Sequence, residues 1–250
     1  MLSFTNVSKT FNRGTPNQRT ALDNVSFVIE EGEFVTLIGG NGAGKSTLLN
    51  AISGVFLTDS GRISLDSKDI TFLPEYKRAR NIGRLFQDPM KGTAPNMTIA
   101  ENLALAYGRA TRAPFRIGIG KKLLNTFREK LALLDLGLED RLKTKMGLLS
   151  GGQRQAVTLL MATLCTPTLL MLDEHTAALD PATGEKVLKL TKEIIAQENI
   201  TTIMITHHMA DALEMGNRTM MFNDGKIVLD IKGEERQQLT VEKLNDYFYM

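Results

Sequence analysis

Residues 34–53 read FVTLIGGNGAGKSTLLNAIS, and this stretch decides the fold class. Residues 34–38 are apolar or β-branched and indicate a short buried strand. The glycine-rich residues 39–44 follow, and residues 45–53 have the composition of a helix that ends at Gly54. A strand that enters a helix through a glycine-rich loop predicts an α/β fold with a parallel sheet.

The loop between this strand and helix matches the whole G-x-x-x-x-G-K-[ST] pattern of a phosphate-binding loop. Glycines let successive backbone N–H groups point at phosphate oxygens, and the helix start adds partial positive charge. We expect Lys45 to neutralise the β- and γ-phosphates of a nucleotide and the Ser46 hydroxyl to bind Mg²⁺. The predicted phosphate-binding residues are Gly39, Gly40, Asn41, Gly42, Ala43, Gly44, Lys45, Ser46 and Thr47.

A second chemical signal lies at residues 169–174, which read LLMLDE. A buried parallel strand delivers its last residues to the ligand-binding edge of an open α/β sheet. Asp173 is therefore predicted to hold Mg²⁺ through water, and Glu174 to polarise an attacking water as general base. An acidic turn after a strand is the alternative, which the phosphate loop upstream makes less attractive.

Composition narrows the class of protein. The 250 residues are 42% hydrophobic, enough for a sizeable core, and the formal net charge of +2 argues against a nucleic-acid binder. Cys165 is the sole cysteine, so no intramolecular disulfide is possible. Neither a signal peptide nor a run of about 20 apolar residues is evident. We expect a soluble protein whose membrane role, if any, comes through a partner.

The pattern along the chain predicts one domain, 1–250, with an insertion. Strand and helix signals alternate in residues 1–88 and 156–230, which we expect to form the core and a β subdomain. Residues 89–155 show helical spacing and predict a helical subdomain. Residues 231–250 are expected to be a C-terminal tail.

Residues 149–155 read LSGGQRQ, and this run resembles the signature motif of ABC transporter ATPases. It lies between the two nucleotide motifs, as in that family. A serine hydroxyl and exposed N–H groups at a helix start also form an anion site on physical grounds. Further matches are similar to the family's Q-loop glutamine, D-loop, switch histidine and adenine-stacking aromatic: Gln87, Asp180, His207 and Phe11. The resemblance covers residues 2 to about 230.

The resemblance implies an α/β P-loop NTPase core of the RecA-like type, with an antiparallel β subdomain and an inserted helical subdomain. It implies ATP and Mg²⁺ as cofactors and a head-to-tail homodimer that sandwiches two ATP molecules. In such a dimer Ser150, Gly151 and Gly152 of one subunit cap the γ-phosphate held by the other. The implied roles are catalysis by Glu174, His207 and Lys45, metal binding by Ser46, Gln87 and Asp173, and dimer contact by Asp180.

Further stretches of the sequence resemble those of one subgroup of bacterial importers. They include residues 86–95 (FQDPMKGTAP), residues 174–180 (EHTAALD) and residues 206–209 (THHM). This implies a permease similar to those for branched-chain amino acids, an extracytoplasmic substrate-binding protein, amino-acid cargo and a location on the cytoplasmic face of the membrane. A soluble ATPase of cofactor assembly and an exporter motor remain alternatives.

Some residues stand outside these motifs. His175 departs from the family pattern after the catalytic glutamate, and we expect it to be structural, with tuning of hydrolysis as the alternative. His208 is expected to start a helix. A basic group is predicted to be either a solvated face or a surface toward the membrane or permease: Arg109, Arg112, Arg116, Lys121 and Lys122, with Phe115 and Ile117.

Overall fold

The computed structural model describes residues 1–111 and 119–249. Its strands are β1 Leu2–Phe11, β2 Arg19–Ile29, β3 Phe34–Gly39, β4 Ser60–Leu65, β5 Lys68–Asp69, β6 Ile82–Leu85, β7 Leu169–Asp173, β8 Thr202–Ile205, β9 Arg218–Asn223 and β10 Lys226–Lys232. Its helices are α1 Lys45–Ser53, α2 Glu75–Arg78, α3 Ile99–Thr111, α4 Lys121–Ala132, α5 Gly151–Thr163, α6 Pro181–Glu198, α7 Met209–Glu214, α8 Gly233–Gln237 and α9 Val241–Tyr249. They form two compact units, Met1–Ile82 with Ile200–Met250 and Gly83–Asn199.

The first unit contains an antiparallel sheet in the order β2-β1-β4-β5. Strands β1 and β2 alternate apolar and polar residues, so one face is buried and the other meets water. The rings of Phe4 and Phe27 stack on the buried face with their centroids 4.7 Å apart. The register brings Phe11, the last residue of β1, opposite Arg19, the first residue of β2.

The first unit also contains strands in the order β10-β9-β3-β8. Strand β3 is buried along its whole length and pairs in parallel with β8 and β9. This burial on both faces explains why its sequence is apolar without alternation. Asp224 and Gly225, both with positive φ, form the turn that leads from β9 into the antiparallel β10.

The second unit is mainly helical. A buried cluster joins α3, α4 and α5 through residues such as Leu103, Phe127, Leu131 and Val157. The strands of this unit, β6 and β7, are neighbours in their sheet, although the first residue of β6, Ile82, is counted with the first unit.

The helix and strand predictions hold at most places. Helix α4 ends at Ala132, and the chain then turns at Leu134 and Asp135, where Asp135 has a positive φ. His208 is the N-cap of α7, as expected. Among the described residues, no helix combines the length and apolar character that crossing a membrane requires.

Candidate active site

The phosphate loop connects β3 directly to α1. Gly44 is the N-cap of α1 with a φ of 113°, a conformation that only glycine adopts without strain. A Cβ at this position would also collide with the carbonyl oxygen of Ala21. The loop therefore reaches the helix by a path that no other residue type could follow, and it leaves the N–H groups of the first turn of α1 at its inner side.

Lys45 lies within this loop rather than in solvent. Its side chain is 6% exposed, and its Nζ donates to the carbonyl oxygens of Gly39 and Gly40 at 2.7 and 3.0 Å. The ammonium group is thus held at the centre of the loop, where a phosphate group would bind. Ser46 is exposed and Thr47 is half-buried on the same helical turn, so the Ser46 hydroxyl is accessible to a ligand.

His207 follows strand β8 at the same edge of the sheet as the phosphate loop. Leu37 of β3 is opposite Ile205 of β8 in a parallel ladder, so both strands end together at this edge. His207 is exposed two residues beyond Ile205. The first unit therefore brings the predicted switch histidine and the predicted phosphate loop to one edge, although about 160 residues separate them in the chain.

Phe11 is half-buried at the end of β1. Its ring meets the ring of Phe56 edge-on at 5.3 Å, and the Lys9 Nζ lies 5.5 Å from its centroid. Asp59 holds Lys9 by an ion pair of 3.2 Å and accepts from the Thr10 N–H at 2.6 Å. These contacts fix the orientation of the Phe11 ring, which is the predicted platform for adenine.

In the second unit, Asp173 ends β7 beside Arg84 of β6. Their side chains form an ion pair of 3.4 Å, and both are largely buried. The Arg84 guanidinium also stacks on Phe86 at 4.6 Å from the ring centroid. Gln87 follows on the same segment with its side chain exposed. The predicted metal residues Asp173 and Gln87 therefore lie at the ends of neighbouring strands of this unit.

The turn after Asp173 has an unusual backbone. Glu174 has a φ of 47°, in the left-handed region that non-glycine residues rarely occupy. Its carbonyl accepts from the Ala177 N–H at 3.0 Å, which closes the turn. Backbone strain of this kind is concentrated at functional sites, and here it falls on the residue predicted to be the general base.

His175 anchors this turn from inside the protein. It is 2% exposed, and its Nε2 lies 3.2 Å from the Thr191 hydroxyl. Because that hydroxyl donates to the Val187 carbonyl at 2.7 Å, the imidazole Nε2–H is the donor to Thr191. Burial lowers the pKa of His175 to about 4, so it is neutral at physiological pH. This agrees with the structural role expected for it.

The predicted signature residues start α5. Ser150 is the N-cap, and its hydroxyl accepts from the Gln153 N–H at 3.3 Å. The Gln153 side chain accepts from the Ser150 N–H in return, which completes a capping box. Ser150 and Gly151 are exposed, whereas Gly152 is buried against Thr183 of α6. Asp180 caps α6 by accepting from the Thr183 N–H at 3.1 Å. The D-loop residue and the signature thus meet at the N-termini of two adjacent helices.

The donor set suits Mg²⁺. Among the described residues, no three His, Cys, Asp or Glu side chains converge to form a metal site. The second unit offers the carboxylate of Asp173 and the amide oxygen of Gln87, and the first unit offers the hydroxyl of Ser46. Such oxygen ligands, few in number and completed by water and phosphate oxygens, are those that Mg²⁺ takes in nucleotide sites.

Sequence reasoning missed three arginines that shape these loops. Arg84 pairs with Asp173, as described above. Arg154 donates to the carbonyl oxygens of Met146, Gly147 and Leu149 and so holds the chain that enters the signature. Arg19 donates to the Gly42 carbonyl of the phosphate loop. Arg84 and Arg19 lie outside the motifs and contact residues that are far away in the chain. Arg154 stands inside the signature run, but the carbonyl groups that it contacts could not be read from that run.

Comparison with known proteins identifies relatives of the whole chain. A family model described as "ABC transporter" matches residues 22–177. A tyrosine transport ATP-binding protein of Clostridioides difficile is 46% identical over 99% of this chain and 98% of its own length. A phosphonates import ATP-binding protein of Lactococcus lactis is 34% identical over 99% of this chain and 98% of its own.

Solved structures share the fold. A dimeric ATP-binding cassette in a post-hydrolysis state, bound to ADP and Pi, superposes with a TM-score of 0.80 at 31% identity. The match covers 93% of this chain and 98% of that one. The expected α/β architecture with an antiparallel sheet and helical elements is therefore confirmed.

Proposed function

This chain belongs to the ABC transporter family as an ATP-binding and ATP-hydrolysing subunit, and we propose that it drives import of an aromatic amino acid through a separate permease. The observation that carries the ATPase role is the arrangement in the first unit, where the phosphate loop and His207 follow neighbouring parallel strands. The proposed cargo follows from the tyrosine transport subunit, which matches this chain over nearly its full length.

We assign nucleotide binding to Phe11 and the loop at 39–47. The base stacks on the Phe11 ring, and the Lys45 ammonium, already held inside the loop, neutralises the terminal phosphates. Bound at Ser46 and Asp173, with Gln87 as a further oxygen donor, Mg²⁺ would supply charge neutralisation on the phosphate oxygens.

Hydrolysis is assigned to Glu174 and His207. Glu174 accepts the proton of the attacking water, a contribution of about 100-fold to 10,000-fold for a positioned general base. His207 donates a hydrogen bond to the γ-phosphate and holds the water in line. The turn at Glu174 precedes the buried His175, and we infer that this anchor helps to preorganise the carboxylate.

One chain carries two surfaces suited to phosphate, the loop before α1 and the exposed N-terminus of α5. We propose that the subunits pair head to tail, so that Ser150 and Gly151 of one face the γ-phosphate held by the other, with Asp180 at the contact. A dimeric cassette among the structural relatives supports this arrangement. Each ATP then links both subunits, and nucleotide shifts the monomer–dimer balance by mass action.

The permease contact is proposed for the second unit, near Gln87. A cavity of about 320 Å³ opens in this unit, lined by Lys91, Thr93, Asn102 and Arg109 among others. Of the predicted basic group, Arg109 lies at this cavity, and Lys121 and Lys122 begin α4 and are exposed. Arg112, Phe115, Arg116 and Ile117 lie outside the described residues. We propose peripheral attachment at the cytoplasmic membrane face, with an extracytoplasmic binding protein delivering cargo.

The importer role is favoured over a soluble ATPase of cofactor assembly or an exporter motor. The two relatives named above are a transport and an import subunit. Uptake of labelled tyrosine, methionine and a phosphonate by cells with this chain and its cognate permease tests the cargo. We expect tyrosine uptake that disappears with Glu174→Gln; uptake of methionine or phosphonate alone would refute the proposed cargo.

ATP binding and hydrolysis are tested separately on the purified chain. Glu174→Gln should bind Mg-ATP, hydrolyse it slowly and form a dimer in light scattering. Lys45→Ala should lose both binding and turnover. An unchanged rate of phosphate release in either variant would refute the assigned roles, whatever the cargo.

A further inference from the structure

We propose that Arg19 is a nucleotide-binding residue, whose guanidinium contacts the α-phosphate of the ATP held between Phe11 and the phosphate loop. This inference rests on the nucleotide site proposed above. It assigns to Arg19 a ligand contact that no motif indicates, since the residue lies at the start of β2, outside the quoted motifs. Three observations carry it, all within the first unit.

The first observation is the position of Arg19 between Phe11 and the phosphate loop. Arg19 is the residue directly opposite Phe11 in the β1–β2 ladder, and its side chain reaches the carbonyl of Gly42 in the loop. The residue therefore spans the distance from the base platform to the phosphate loop. In a nucleoside triphosphate, the ribose and the α-phosphate are the groups that join the base to the terminal phosphates, so they must pass beside this side chain.

The second observation is close packing against the loop. A Cβ added at Gly42 would lie 3.2 Å from Arg19 Cζ and would collide with its Nη2. The guanidinium can approach the loop this closely because residue 42 has no side chain. Gly42 also has a φ of 79°, so glycine is required there by backbone conformation as well.

The third observation is the charge of the Arg19 guanidinium. Arg19 is exposed, and among residues 1–111 and 119–249 it forms no ion pair; it donates to the Gly42 carbonyl. By contrast, Arg13, in the connection between β1 and β2, is paired with Asp59 at 3.0 Å. A guanidinium with remaining donors beside a polyanion site is suited to bind two phosphate oxygens at once.

The test is nucleotide affinity measured by calorimetry for the wild type, Arg19→Ala and Arg19→Lys. Arg62→Ala is the matched control, because Arg62 is an exposed arginine of the same unit, paired with Asp69. We expect Arg19→Ala to weaken the binding of ADP and of ATP by an equal factor of about ten to a hundred, and to leave the binding of adenosine unchanged. Arg19→Lys should lose less, since it keeps the charge without the planar fork.

Each other result decides against the inference. Equal affinity of Arg19→Ala and the control would show that Arg19 does not contact nucleotide. A loss for ATP but not ADP would move the contact to the γ-phosphate. An equal loss for adenosine, or a lower melting temperature of the nucleotide-free Arg19→Ala protein than of Arg62→Ala, would indicate a structural brace. Failure of the wild type to bind ATP would instead refute the proposed function.

Discussion

The left-handed backbone of Glu174 predicts that Glu174→Asn stabilises the protein while stopping catalysis. A non-glycine residue at a φ of 47° carries a conformational cost of about 1–2 kcal/mol. Asparagine tolerates this region better than glutamate or glutamine because its short amide can hydrogen-bond locally. Replacing Glu174 with asparagine should therefore recover about half of that cost, or roughly 0.5–1 kcal/mol.

The matched control is Glu174→Gln, which loses the same charge but keeps the long side chain and its conformational cost. For a chain of this size, a gain of 1 kcal/mol raises the melting temperature by about 2–4 °C. We expect Glu174→Asn to melt about 1–4 °C above Glu174→Gln, with both variants near the background rate of phosphate release. The measurements are thermal unfolding followed by circular dichroism and a phosphate-release assay.

Two outcomes would refute the reasoning. If Glu174→Asn melts below Glu174→Gln, the turn does not impose the cost inferred from its φ. If either variant hydrolyses ATP within about threefold of the wild type, Glu174 is not the general base, because a positioned base contributes at least about 100-fold.

Two further predictions concern His175 and the cap of α5. Because the pKa of His175 is about 4 when folded and 6.5 in the unfolded chain, the unfolded state binds the extra proton, and stability should fall as pH drops from about 6.5 to 4. Urea unfolding should show that the free energy of unfolding falls by about 3 kcal/mol over that window. His175→Gln should reduce this fall, and identical pH dependence of the two proteins would contradict the prediction. Ser150→Ala should cost about 1 kcal/mol of stability through the lost cap and also weaken ATP-dependent dimerisation in light scattering. Ser150→Asn should restore stability, and a dimer equally strong in Ser150→Ala would argue against its phosphate contact.

The phosphate loop could be predicted from the sequence because its conformation depends on neighbouring residues. Strand β3, the glycines and α1 are contiguous, and the conformations that Gly42 and Gly44 adopt are ones that glycine alone tolerates well. The same holds for the start of α5, where Ser150 and Gln153 lie three residues apart and form the capping box. Element type and fold class followed from such local patterns.

The role of His175 was open in the sequence. The residue pattern favoured a structural role and left tuning of hydrolysis as the alternative, since a histidine beside an acidic residue can be a titrating group at the surface or a neutral group in the core. Its burial depends on α6, which supplies Thr191 sixteen residues later. Only that packing decides that the imidazole is neutral and serves as an anchor.

The sequence by itself therefore determined the α/β class, the phosphate loop, the helix starts and the family resemblance, because each depends on neighbouring residues. Only the tertiary structure placed His207 beside the end of β3, paired Arg84 with Asp173 and laid Arg19 against Gly42. These contacts depend on strand register and on the reach of long side chains. Both are set by packing between residues distant in the chain, which no local pattern encodes.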